Sequence, residues 1–344
     1  MAEIPEAESQ PIRLYVATHA GIVTLEEAGK SWRLAHRALE SRDLYAVATS
    51  GASPRIVFTG SIDSGVHRSS DGGRSWRQVL SGVVYSVAMH PDDPNHVYAG
   101  LQPANVMRTT DGGRHWSQFG DLKMLPESER WSFPHRPHLA HVRALALALD
   151  RPDTVYGGIE VGGFVRTDDA GRHWMAVSEG LHPDVHGLAL NPDGEHIYAA
   201  TGDGFHRSAN RGNTWERSCR GIDRPYTRAV TLFFERPEIL LISGGPDAPT
   251  AWDRPGRARM GIYRSDDGGD HWSPVTEGLP DPIEGEVDRF AHHPRQPGRV
   301  WLGSGDGNVF ESVDFGATWH QIAEGLGAVR ALTAVVMPRG GEEA

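Results

Sequence analysis

The chain has 344 residues, with 34 basic against 45 acidic side chains, a net charge of −11 and a single cysteine, Cys219. The acidic balance argues against a general nucleic-acid binder or a protein held to anionic membranes, and one cysteine excludes an internal disulfide and suits a reducing compartment. The segment Met1 to Gln10 is acidic and polar, without a basic and apolar leader, and no long apolar run follows it, so a cytoplasmic protein with no membrane insertion is expected. Only Lys30 and Lys123 are lysines, so nearly all positive charge is arginine, as a GC-rich genome would give.

The predicted elements open with two strands, Ile12 to Thr18 and Gly21 to Leu25, ahead of Trp32. Inner strands then recur, starting Leu44-Tyr45-Ala46, Val84-Tyr85-Ser86, Val142-Arg143-Ala144, Val185-His186-Gly187, Thr227-Arg228-Ala229, Val287-Asp288-Arg289 and Val329-Arg330-Ala331. Short apolar second strands follow turns rich in Pro, Asp and Gly, as in His90-Pro91-Asp92-Asp93-Pro94 before Val97-Tyr98-Ala99-Gly100. An octapeptide, Ser/Thr-x-Asp-x-Gly-x-x-Trp, then joins the third strand of each unit to the fourth, which leaves from its Trp. It begins at Ser69, Thr109, Thr167, Ser265 and Ser312, with Asn210 replacing Asp in the copy at Ser208 and Glu27 in a worn copy at Leu25. Its tryptophans, at 32, 76, 116, 174, 215, 272 and 319, are spaced by 44, 40, 58, 41, 57 and 47 residues. A fixed signature at that period predicts an array of four-stranded units. The expected fold is all-β, a seven-bladed propeller forming one domain over 1–344, with residues 1–11 expected to be flexible. The first unit lacks an inner strand and Val329 to Met337 is spare, so the C-terminal strand should complete blade 1 and remove two open edges.

The octapeptide resembles the Asp-box, the bacterial neuraminidase repeat of sialidases, sortilin-type receptors, xyloglucanases and a photosystem II assembly factor. The resemblance covers nearly the whole chain. It implies hairpins in which Asp accepts backbone N–H bonds, Gly takes a conformation other residues resist, and Trp packs between sheets. A sialidase-like or glycosyl hydrolase-like label is implied by the same resemblance, but sialidases of that family have six blades and an Arg-Ile-Pro opening. The opening is missing here; Pro11-Ile12-Arg13 only reverses it. A xyloglucanase would carry two tandem propellers.

The two long spacings carry their extra residues at about 118–141 and 245–260, and strand direction puts both on the face opposite the octapeptides. Trp131 and Trp252 fall one in each insertion, either as stacking walls for a ligand ring or as pins for the loops. His135, His138 and His141 recur every third residue between Pro134, Pro137 and the next strand. Polyproline geometry would align them, as metal ligands or as a polar pocket wall. No other cofactor is expected.

The second position of the inner strands reads Tyr45, Tyr85, Arg143, His186, Arg228, Asp288 and Arg330 around the ring. Facing the central funnel, Arg143, Arg228 and Arg330 could fork onto an anionic group, with His141 and His186 at the rim. The bland alternative is a wet channel lined by mutually neutralising Arg–Asp pairs. The leading expectation is a propeller binding a small anionic ligand or carbohydrate. The alternatives are an enzyme, either a glycosidase on Glu160, Asp288 and neighbours or a metal-dependent lyase using histidines such as His186, and a protein-binding assembly scaffold.

Overall fold

The octapeptides fold as hairpins between the third and fourth strands of each sheet. In residues 109–116 the Asp111 carboxylate accepts the backbone N–H groups of Arg114 and His115 at 2.9 and 3.0 Å, and Thr109 Oγ1 accepts that of Gly113 at 2.9 Å. Gly113 sits at φ +85°, a left-handed conformation that a Cβ would strain. The Asn210 copy keeps the arrangement, with Asn210 Oδ1 accepting from Thr214 N at 3.0 Å. The worn copy does not. There Gly21–Ala28 and Ser31–Ala38 are joined by a two-residue turn, Trp32 lies within a strand, and Glu27 accepts the N–H of Ile12 at 3.1 Å. The Glu27 carboxylate also pairs with Arg299 of the last blade at 3.0 Å, a reach that a shorter Asp would lose.

The computed structural model describes residues 10–251 and 257–338, and its strands form seven four-stranded antiparallel sheets, the blades of a propeller. Blade 1 comprises Val329–Val336, Ile12–Thr18, Gly21–Ala28 and Ser31–Ala38. Its C-terminal strand pairs with Ile12–Thr18 from Ile12↔Val336 to Thr18↔Val329, so the ring closes as expected. The inner strands of blades 2 to 7 are Leu44–Ser50, Val83–Met89, His141–Leu147, Val185–Leu190, Tyr226–Phe233 and Phe290–His292. The last starts later than its sequence suggests. Asp288 and Arg289 precede the ladder, and the carbonyl of Val287 instead accepts the Ser243 hydroxyl at 2.7 Å.

Apolar cores lie between neighbouring blades. One joins Val142, Val155, Ile159 and Val165 of blade 4 to Tyr98 and Val106 of blade 3; another joins Trp301 and Val309 of blade 7 to Leu14, Val16 and Leu332 of blade 1. Repeat tryptophans tie some of these seams. Trp174, Trp215 and Trp272 donate their indole N–H to the carbonyls of Phe119, Val177 and Ser218 in the preceding blade, at 2.9, 3.3 and 3.1 Å. Close approach of the inner strands needs small residues behind them. A Cβ on Gly158 would come within 2.7 Å of Val185 in the next blade.

Both insertions lie at the end of the ring opposite the hairpins. The hairpins sit beside the turns that follow the inner strands, as Gly112 N to Asn95 O at 3.1 Å shows. The insertions meet the other end: Phe133, Pro134 and His135 of the first, and Ala248, Pro249 and Thr250 of the second, line one cavity with the starts of the inner strands. Each insertion contains 3-10 turns that the sequence did not announce, Leu122–Met124 and Pro126–Arg130 in the first and Pro249–Ala251 in the second. Among the described residues no helix is long and apolar enough to cross a membrane.

Candidate functional site

The second position of the inner strands converges on the axis because it is a β-bulge. In blade 4 Val142 pairs with Ile159 and Ala144 with Gly158, so Arg143 has no partner of its own. The same skip occurs at Tyr45, Tyr85, His186 and Arg330, and a longer one at Arg228 and Ala229. A bulge bends the strand and re-aims its side chain, here away from the inter-blade core and into the funnel. Tyr45, Tyr85, Arg143, Arg228, Asp288 and Arg330 line a cavity of about 290 Å³, joined by His141, Glu160, Asp184, Tyr226 and Glu286. His186, fully buried, stands in the wall behind them.

The arginines are met from within. Arg143 pairs with Asp288 at 3.0 Å and approaches Glu160 at 3.5 Å. Arg228 holds Asp288 at 2.8 Å and Glu286 at 3.1 Å. Both guanidiniums are buried and spent on carboxylates. Arg330 is looser, 21% exposed, 3.3 Å from Glu286 and 3.9 Å from Asp43, with its buried Nε unpartnered and its guanidinium 5.0 Å from the Tyr45 ring. Of the expected triad, Arg330 is the most exposed.

Burial raises the cost of ionising Asp288 and Glu160, yet their partners win. Arg228 and Arg143 hold Asp288 far below the usual carboxylate range, and the His141 hydrogen bond of 2.9 Å with the Arg143 charge does the same for Glu160. Neither carboxyl holds a proton to give near neutrality, so neither suits the general acid of a glycosidase. Burial lowers the His141 pKa, leaving a neutral ring stacked on Tyr85 with centroids 3.6 Å apart. Burial also pushes Tyr85 up to about 12.

The histidine triplet does not assemble. His138 N donates to His135 O at 2.8 Å, closing a tight turn instead of a polyproline run, and His138 itself has φ +65°. His138 and His135 are exposed while His141 is buried against Glu160, so the three imidazoles are not a common ligand set. Trp131 is half-buried against the core between blades 3 and 4, pinning the first insertion rather than presenting a stacking face. Trp252 lies outside the described residues.

One residue of the site was not foreseen. Arg289, half-buried in the last blade, donates to the carbonyls of Asp288, His186 and Arg143 at 2.7, 3.2 and 2.8 Å. Desolvation and the Arg143 charge lower its pKa to about 10, still charged at neutrality. Arg289 also lines a second, larger cavity of about 890 Å³ among the lower halves of the inner strands, with Leu145, Leu188, Leu232 and Phe290. Its bonds to blades 4, 5 and 7 set it between this cavity and the residues that line the first one.

No family model matches the chain. It is 27% identical over 164 residues to the photosystem II assembly protein Ycf48 of Thermosynechococcus vestitus, covering 47% of this chain and 42% of that protein. The Ycf48 lipoprotein of Trichormus variabilis is 25% identical over 170 residues, with the same shares. The chain thus spans less than half the length of these curated relatives. Among solved structures, the GH74 xyloglucanase of Xanthomonas campestris superposes with a TM-score of 0.67 at 17% identity, over 95% of this chain and 53% of that one. A YCF48 bound to a D1 peptide gives 0.54 at 21% identity, over 93% and 88%. At these identities the superpositions establish a common propeller fold.

Proposed function

We propose that this chain is a binding scaffold that docks a polypeptide partner over the mouth of the funnel, with an anionic group of the partner reaching Arg330. The reading is carried by the build of that mouth. Segments of both insertions frame a recessed polar cavity of about 290 Å³, room for one side chain or one chain end. Buried atoms of residues in its wall still lack a hydrogen bond, both donors and acceptors: Nε of Arg143 and Arg330, Nδ1 of His141, and one carboxylate oxygen of Asp184. A peptide supplies both kinds of group. The likeness to Ycf48, named for photosystem II assembly and seen with a D1 peptide, supports a polypeptide over a carbohydrate. The Asp-box resemblance supports the stapled ring that carries the mouth, and the lone half-buried thiol of Cys219 is in keeping with a cytoplasmic scaffold.

The test is a titration of acidic peptides, carboxylated sugars, sulfate and phosphate against wild type and Arg330→Met. Peptides should bind, and the substitution should weaken them by roughly ten- to a hundred-fold, the value of one charge-assisted contact. Tight binding of a carboxylated sugar without peptide binding would restore the carbohydrate reading. Equal peptide affinity in both proteins would remove Arg330 from the site.

A further inference from the structure

Glu160, Asp184 and His186 stand together in the wall shared by blades 4 and 5, each offering a ligating atom within 4.8 Å of the others. We propose that this trio is a binding site for a first-row divalent cation, with Mn²⁺ and Zn²⁺ as the matching ions. The inference is independent of any partner at the funnel mouth.

The imidazole carries the first part of the argument. His186 is fully buried, and its Nδ1 lies 2.6 Å from the carbonyl of Thr227. Only an N–H satisfies that carbonyl, so Nδ1 holds the proton and Nε2 presents its lone pair. A backbone carbonyl fixing the far nitrogen is how metal-binding imidazoles are oriented. Nε2 then faces Asp184 Oδ2 at 3.2 Å. A cation between them would satisfy both lone pairs at once, in place of the Tyr226 hydroxyl that can otherwise donate to Nε2.

The carboxylates carry the second part. Asp184 Oδ1 is buried and has no hydrogen-bond partner. Glu160 spends Oε2 on His141 and Arg143, which leaves Oε1 for a ligand. Tyr226 OH, 3.2 Å from His186 Nε2 and 3.4 Å from Asp184 Oδ2, can turn to donate to the carboxylate when Nε2 is engaged. Two carboxylates balance a divalent charge. The nearest guanidiniums, Arg143 and Arg228, are offset by Asp288 and Glu286. The one nitrogen suits borderline Zn²⁺ and the two carboxylates suit harder Mn²⁺, against the all-oxygen cages of Ca²⁺ and the thiolates of soft metals. The funnel leaves the outer coordination positions to solvent.

The experiment strips the purified chain with a chelator and titrates it with MnCl₂ and with ZnCl₂ alone, reading calorimetry and the Mn²⁺ electron paramagnetic resonance signal. Wild type, Asp184→Asn, Glu160→Gln and a His135→Ala/His138→Ala control are compared. One equivalent should bind to wild type and to the control, with at least about tenfold weaker binding in Asp184→Asn and Glu160→Gln, the usual scale for a disturbed metal site. Asp184 is less buried than Glu160 and contacts no arginine within 4 Å among the ion pairs described, so its variant keeps the test meaningful if Glu160→Gln fails to fold. Absence of stoichiometric binding up to about 1 mM metal, a level corresponding to only ~4 kcal/mol, overturns the site. So does equal affinity in wild type and a folded Asp184→Asn, and so does loss of binding in the surface-histidine control alone.

Discussion

Arg289 Nη2 donates to the carbonyl of Arg143 at 2.8 Å, linking the start of blade 7 to the inner strand of blade 4. Its Nη1 reaches His186 O in blade 5 and its own neighbour Asp288 O. One guanidinium thus ties three blades at the axis, where bulges have freed their carbonyls from the ladder. Replacing it with methionine strands those carbonyls, and each charge-assisted bond is worth about 1.5–3 kcal/mol without simple additivity. Arg289→Met should lower the unfolding free energy by about 3 kcal/mol or more in denaturant titrations. Arg289→Lys should restore little, because an ammonium lacks the planar fork.

Arg228 is expected to behave as a structural residue. Its side chain and that of Asp288 are almost wholly buried, and removing one member of such a pair costs about 3–5 kcal/mol. Thermal unfolding of Arg228→Met should shift far more than that of Arg330→Met, whose partners are longer and wetter. Equal shifts would contradict the division drawn between the two.

Ring closure predicts the outcome of a truncation. Removing the residues after Leu326 deletes Val329–Val336, the partner of Ile12–Thr18, and leaves the edge of blade 1 open. The shortened chain should lose the single cooperative thermal transition, read by circular dichroism, since blade cores depend on their neighbours.

Acid should weaken the ring in two stages. His292 titrates near 4 rather than 6.5 because burial disfavours its charge. The unfolded chain therefore takes up a proton below pH 6.5 that the folded one refuses, and stability falls as pH drops from 6.5 towards 4. Below the ordinary carboxylate values of 4.5 and 3.8, Glu160 and Asp288 act in the same direction. Their depressed pKa values give stability that is complete above those values and lost as protons are forced onto them. Denaturant midpoints measured from pH 7 to 3 should decline throughout, and His292→Gln should flatten the upper part.

The ring was legible because it is written seven times. Tryptophan spacing gave the blades, and the spare strand Val329 to Met337 gave the closure. The funnel register was legible too, since Tyr45, Arg143 and Arg330 hold one place in a repeated strand. The bulges behind that register were not, because an unpaired residue has no signature in a single sequence. The pairing of Arg143 and Arg228 with Asp288 joins residues from separate blades, a relation that only closure of the circle creates. Arg289 could have been found. At the third position the other blades carry Ala46, Ser86, Ala144, Gly187, Ala229 and Ala331, all small, and the one arginine among them is the residue that crosses the axis. The histidine triplet misled because spacing was read as a straight run, while the chain turns back between His135 and His138.

Arg289 bonds the carbonyls of Arg143 and Asp288, whose side chains line the cavity at the mouth, while itself lining the larger cavity, so its guanidinium stands between the two. On the proposed reading, the partner's group enters between Phe133–His135 and Ala248–Thr250. Substitutions at the exposed Pro134 and His135, which line the cavity without joining the inter-blade core, should then change both the association and the dissociation rate constant and leave the ring's melting behaviour alone. On that docking reading, residence time would be set by the two irregular loops at the rim.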